Sequence, residues 1–259
     1  MNRAAVAIDQ LGRTVLEYVE EMGKIALLFL SVLRWMFQPP LKSHLIFKQM
    51  EFVGNKSIFV VVLTGAFTGM VMALQGYYGF KMFSAESMVG SVVALGMTRE
   101  LGPVLTSLMV TARAGSAMAA ELGTMRVTEQ IDALSVMAAN PVKHLIVPRV
   151  IAGVLMLPLL TVVSDFMGIL GGYFVGVHLL HINSGIFVKN ITTIVDLDDL
   201  YNGLVKAAVF GLILSLIGCY KGFNTRGGAE GVGKATTEAV VLSSITILIS
   251  DYFLTAIMF

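Results

Sequence analysis

Between Ser57 and Phe259, five apolar stretches follow one another, each near or above the roughly 20 residues a helix needs to cross a bilayer core. They cover about 57–80, 87–120, 150–177, 200–220 and 239–259. Inside lipid, backbone N–H and C=O groups find no water, so each stretch has to satisfy them internally as a helix. The expected fold class is therefore an all-α membrane protein. Composition agrees: 56% of the 259 residues are hydrophobic and 14% are charged, and the mean hydropathy is +0.81, outside the range of ordinary soluble domains. A net charge of +1 leaves no electrostatic footprint for nucleic acid. The single cysteine, Cys219, allows no intrachain disulfide, so helix packing must hold the fold.

Only the first stretch is free of charge. The second contains Arg99, Glu100 and Arg113, the third Asp165, the fourth Lys206 and the fifth Asp251. Ionisable groups at membrane depth are costly and persist where they face protein, water or a polar ligand, which makes Arg99 and Glu100 site candidates. Pro103, directly after Gly102, bends the second stretch away from a straight helix. The competing reading is an Arg99–Glu100 pair that satisfies itself near the headgroups, with snorkelling side chains. Lysines and arginines concentrate before Ser57 and within 113–149 and 221–234. This asymmetry places the amino terminus in the cytoplasm and the carboxyl terminus on the far side.

Residues 1–40 form a separate element. Ile8, Leu11, Val15, Tyr18, Met22, Ile25 and Phe29 recur at helical spacing, with Asp9, Arg13, Glu17, Glu20 and Lys24 opposite. The pattern predicts an interfacial amphipathic helix ended by Pro39-Pro40. A signal peptide fits less well, because acidic residues precede the short run 25–33 and no small-residue cleavage site follows. A second amphipathic helix is expected over 121–134, where Val127, Ile131 and Leu134 share a face. Helix-in-groove docking and simple closure of the bundle require the same periodicity, so both readings stand. Small residues four apart (Gly65 and Gly69; Ala112, Ser116 and Ala120; Gly168, Gly172 and Gly176) point to close helix packing, within the chain or across a dimer seam.

Other motifs carry less. Gly228 to Ala235 nearly matches a phosphate-binding loop, but alanine stands where the magnesium-binding hydroxyl belongs and no buried strand precedes it. His178 and His181, with Asp196, Asp198 and Asp199, fall short of a closed ligand set. The aspartates read more simply as amino-terminal residues of a helix entering at Leu200. No catalytic constellation and no metal site are expected.

The run from Gly96 to Leu134, together with GMVMALQG at 69–76, Asn140-Pro141, Pro148-Arg149, LPLL at 157–160, KATT at 234–237 and DYFLTA at 251–256, closely resembles the MlaE/YrbE family of permeases. The family supplies the membrane subunits of ABC transporters that work with MCE proteins. The resemblance implies a homodimeric permease domain over 41–259 in a bacterial inner membrane, moving phospholipid to or from a periplasmic MCE-domain protein and so maintaining outer-membrane asymmetry or lipid supply. It implies a cytoplasmic ABC ATPase that holds ATP and magnesium, none being held by this chain, and a small STAS-domain protein as a further partner. Carried onto this sequence, Leu74, Gln75, Tyr78, Arg99, Glu100 and Leu101 would bind lipid. Glu121, Arg126, Glu129, Gln130 and Asp132 of the 121–134 helix would couple to the ATPase. Lys234 stands where relatives often carry arginine, which keeps the charge and loses the bidentate fork. The alternatives are an ABC permease for another apolar cargo such as a sterol, a secondary transporter using Asp165, Lys206 and Asp251 as a relay, and a structural anchor for an MCE complex.

Overall fold

The computed structural model describes residues 3–38 and 42–258, with side chains from Val19 onward and at Gly12 and Leu16. Regular structure among these residues is helical throughout. In chain order the α-helices are α1 (Arg3–Met36), α2 (Ser43–Val53), α3 (Ile58–Lys81), α4 (Val89–Gly96), α5 (Gly102–Val110), α6 (Ser116–Val127), α7 (Gln130–Val136), α8 (Val147–Tyr173), α9 (Ser184–Ile194), α10 (Leu197–Phe223) and α11 (Gly228–Met258). Four π-helical turns interrupt or extend them, at Met97–Leu101, Thr111–Gly115, Val142–Ile146 and Phe174–Leu179.

Four helical runs are long and apolar enough to cross a membrane: Ser43–Lys81, Val142–Leu179, Leu197–Phe223 and Gly228–Met258. The expectation of five is thereby altered for the second stretch. Residues 86–127 do form one helical run of comparable length, but two π turns divide it. Arg99, Glu100 and Arg113 dilute its apolarity. The Arg113 charge is accounted for locally: its Nη2 donates to the carbonyl of Phe52 at 2.8 Å, and its guanidinium lies 5.2 Å from the Phe52 ring. A cation at the last carbonyls of α2 is favoured by the helix dipole.

The core forms where α8 packs between α3 and α10. Small residues make that approach possible. A Cβ on Gly69 would overlap the carbonyl of Gly168, so the α3 and α8 backbones are in direct contact there. Val61, Val110, Met118, Leu157, Phe210 and Leu214 fill the centre. The 65/69 and 168/172 stripes are thus packed within the chain. In the 112–120 stripe, Ala112 is exposed and Ser116 and Ala120 are half-buried, while Gly115 and Ala119, one position round the helix, are buried.

The amino-terminal helix extends as one element to Met36. Its described part does more than lie on a surface: Ile25, Leu28, Phe29, Val32, Trp35 and Met36 pack against a cluster with Leu122, Ile131, Ile146 and Val147. Val19, Met22, Leu27 and Leu30 remain exposed on other faces. The side chains predicted to form the faces at residues 8–15, 17 and 18, and the Pro39-Pro40 stop, lie outside the described residues.

The single helix expected over 121–134 is two. The chain leaves α6 at Val127, and Glu129 takes a left-handed conformation (φ 59°) before α7 begins. A non-glycine residue in that region costs on the order of 1 kcal/mol. Arg126 and Asp132 close the corner with a 2.6 Å ion pair. The near-phosphate-loop Gly228 to Ala235, expected from sequence as a turn leading into the fifth stretch, is instead the first two turns of α11; the bend lies just before it, with Gly227 and Gly228 at φ 91° and 66°, and α10 rather than a strand precedes it.

Substituting Gly69 by valine is expected to cost more than about 4 kcal/mol, since backbone, which cannot rotate away, is what the new Cβ meets. Gly79, with open space around it, should accept the same change within about 1 kcal/mol. Thermal unfolding of the two variants in detergent checks the difference.

Candidate functional site

Pro103 organises the site from the backbone outward. It has no N–H, so the carbonyl of Arg99, four residues earlier, loses its helical donor. The chain widens into the π turn Met97–Leu101 just before it, closing with the Gly102 N–H on the Met97 carbonyl. The orphaned Arg99 carbonyl is taken instead by Lys206 Nζ of α10, at 3.1 Å. Gly203, one turn earlier on α10, lies so close that a Cβ there would strike the carbonyl of Thr98. Helix α10 is therefore seated directly against the irregular turn.

Lys206 is fully buried. Its ammonium donates to both Glu100 carboxylate oxygens at 2.9 Å and to Thr255 Oγ1 at 2.7 Å, with Asp251 Oδ1 at 3.4 Å. Thr255 also lies 3.2 Å from Glu100 Oε1 and donates to the Asp251 carbonyl at 2.8 Å. Arg99 forms a 2.6 Å ion pair with Asp199, a buried residue in the first turn of α10. Arg99 and Glu100 are thus each paired with a residue of α10. Each is held from behind by an opposite charge on α10, and each still exposes over a third of its side chain, 39% and 38%.

The remaining predicted lipid-binding residues lie close by in the fold without being buried in this cluster. Leu101 is half-buried and packs with Met70, Met72 and Met97, which joins α3 to the π turn. Leu74, Gln75 and Tyr78 are exposed on α3, where Phe59, Leu63, Phe67 and Val71 continue the same apolar stripe. The chain thus presents both a polar turn fixed by buried counter-charges and, on α3, a long oily face, the two environments an amphiphile requires.

The predicted coupling residues divide. Arg126 and Asp132 pin the corner between α6 and α7, with Glu129 at its strained apex and Gln130 donating to Thr128 Oγ1 at 3.1 Å. Glu121 is engaged elsewhere: it pairs at 2.8 Å with Arg149, which is buried on α8 and also donates to the Leu145 carbonyl at 2.7 Å. Asp199 and Thr255 were missed as site residues, and Lys206 and Asp251, weighed only as parts of an ion relay, were not connected with Arg99 and Glu100. Their signal was the occurrence of opposite charges in different spans, which in lipid must find one another. Asp199 does serve as a helix-start residue, accepting from the Asp196 N–H at 3.1 Å. Asp165 is also buried, facing Gly102 beside the π turn. Among the described residues no group of three or more His, Cys, Asp or Glu is placed to hold a metal ion.

Lys206→Met removes the only buried cation facing Glu100 and Asp251 from α10 and should destabilise the chain by about 3 kcal/mol, the low end for breaking a buried pair because Glu100 keeps some solvent. Lys24→Met, which breaks an exposed pair with Glu20, should leave the melting temperature essentially unchanged, because solvent screens such a pair. Thermal melts in detergent read both.

Comparison with known proteins bears on what this site serves. Residues 46–257 match the family model described as permease MlaE. A probable ABC transporter permease protein of Rickettsia bellii is 46% identical over 251 residues, covering 97% of each chain. The intermembrane phospholipid transport system permease protein MlaE of Haemophilus influenzae is 39% identical over 255 residues, again 97% of each. The chloroplastic protein trigalactosyldiacylglycerol 1 of Arabidopsis thaliana is 41% identical over 212 residues, 82% of this chain and 61% of that one. With a family model spanning nearly all of the chain beyond its first helix, and the two bacterial relatives aligned along almost their whole length, the chain belongs to the MlaE permease family.

Proposed function

We propose that this chain is the permease subunit of an ABC transporter that moves phospholipid between the inner membrane and a periplasmic MCE-domain protein. The observation that carries this reading is the turn at Arg99 and Glu100, whose two opposite charges are each paired with α10 yet keep over a third of their side chains exposed, in a chain that also bears a long exposed apolar face on α3. Headgroup charges meet the turn, and acyl chains lie along Leu74, Tyr78 and Leu101. The names of the Rickettsia and Haemophilus relatives support ABC-coupled transport and phospholipid as cargo, and weigh against a secondary transporter.

Two copies of the chain enclose the lipid between their α3 faces, with the amino terminus in the cytoplasm and the carboxyl terminus in the periplasm. ATP and magnesium are held by a separate cytoplasmic ATPase, with a small STAS-domain protein as a further partner. The corner between α6 and α7 receives the ATPase. Because α6 continues from the π-bulged run, a push on Gln130 or Asp132 is transmitted along the helix that carries Arg99 and Glu100.

The test is transfer of fluorescent phospholipid by the permease reconstituted with its ATPase and MCE partner. Leu74→Gln and Tyr78→Ala alter exposed side chains and should leave the melt unchanged. Arg99→Gln removes a charge-assisted contact worth about 1.5–3 kcal/mol, so transfer should fall about tenfold or more. Normal transfer in all three variants would overturn the assignment. Arg126→Ala combined with Asp132→Ala should leave lipid binding intact while ATP hydrolysis loses its dependence on lipid, measured as phosphate release with and without lipid.

A further inference from the structure

At the end of the bundle that bears Lys221, Arg226 and Lys234, α1 lies across α10 and α11 and leaves a trough. Its cavity of about 560 Å³ falls within the roughly 300–1,000 Å³ of small-molecule sites. Ile25 and Phe29 of α1, Leu216 and Ile217 of α10, and Leu242 and Ile245 of α11 give it apolar walls. From Leu242 to Ile249 the trough follows α11 for about 10 Å at the helical rise.

Glu21 lines this trough and also a second, polar cavity of about 250 Å³ that adjoins it. That cavity holds both signs of charge. Lys221 Nζ lies 2.5 Å from Glu21 and 2.9 Å from Glu238. Lys234 is 79% exposed, 3.9 Å from Glu238, and Arg226 is exposed. Each carboxylate offers about four acceptor positions, so Glu21 and Glu238 keep capacity beyond Lys221. Arg226 and Lys234 present donors to an anion, Arg226 in a fork suited to phosphate.

We infer that the two cavities form one site for a resident zwitterionic phospholipid, separate from the turn at Arg99 and Glu100. Its phosphate meets Arg226 and Lys234, its ammonium meets Glu21 and Glu238, and an acyl chain fills the trough. A purely anionic headgroup matches the cations but confronts two carboxylates. A bulk lipid merely covering the surface needs no such pairing and shows no preference. The site does not depend on transport: it stands on the trough and its charged mouth alone.

Native mass spectrometry of the full chain, exposed to equal amounts of phosphatidylethanolamine and phosphatidylglycerol in detergent, tests this. The wild-type chain should retain one more phospholipid per copy than Ala26→Trp, which fills the trough, and that lipid should be phosphatidylethanolamine by at least tenfold. Arg226→Glu with Lys234→Glu, at exposed positions that leave packing untouched, should abolish both the retention and the preference. The one-lipid difference between the unaltered trough and Ala26→Trp should persist when both are made in an Arg99→Gln background, which separates this site from the transport site. Equal retention by wild type and the Arg226/Lys234 variant, or no preference between the two lipids in the wild type, would overturn the inference.

Discussion

The ammonium of Lys206 is the interaction on which the rest of the site depends. A fully buried lysine is tolerable only when its charge and its N–H groups are met, and here the partners come from two other helical runs: Glu100 and the Arg99 carbonyl from the π turn, and Asp251 and Thr255 from α11. The same contacts hold α10, α11 and the broken second run together at one level. Proline 103 is the reason the backbone joins this network, because it frees the carbonyl that Lys206 then takes. An element that would weaken an ordinary span is thus turned into a docking point for the next.

How far this could be read beforehand follows from the range of each signal. Apolar length and the backbone's need for internal hydrogen bonds make helices unavoidable, so α3, α8, α10 and α11 lie close to the expected stretches. The aspartates before Leu200 were legible because capping chemistry acts within a few residues. Helices α2 and α9 were not expected. Helix α9 is short, and it owes its place to Phe187, which packs fully buried among Val89, Val93 and Tyr173. Asn183 at its start accepts from the Gly185 and Ile186 N–H groups, a local cue that was available.

The π turns were the main hidden feature. Each takes up about one residue more than an α-helical turn, so every side chain beyond it is rotated by about 100° from the position a regular 3.6-residue period predicts. That shift explains why Gly115 and Ala119, rather than Ala112, Ser116 and Ala120, enter the core. Pairings such as Arg99–Asp199 and Glu121–Arg149 join distant parts of the chain, and local periodicity carries no record of them. The corner at Glu129 was concealed in another way, since its residues suit one continuous amphipathic helix and only the left-handed conformation reveals the break.

Four oxygens crowd an ammonium that has only three N–H bonds to give. This surplus makes the arrangement degenerate. If a guest drew the Glu100 carboxylate outward, Lys206 would keep Thr255, the Arg99 carbonyl and the nearby Asp251, and no cation would be stranded in the oil. A displaced glutamate would thus cost one ion pair without unpinning the helices that meet at the lysine.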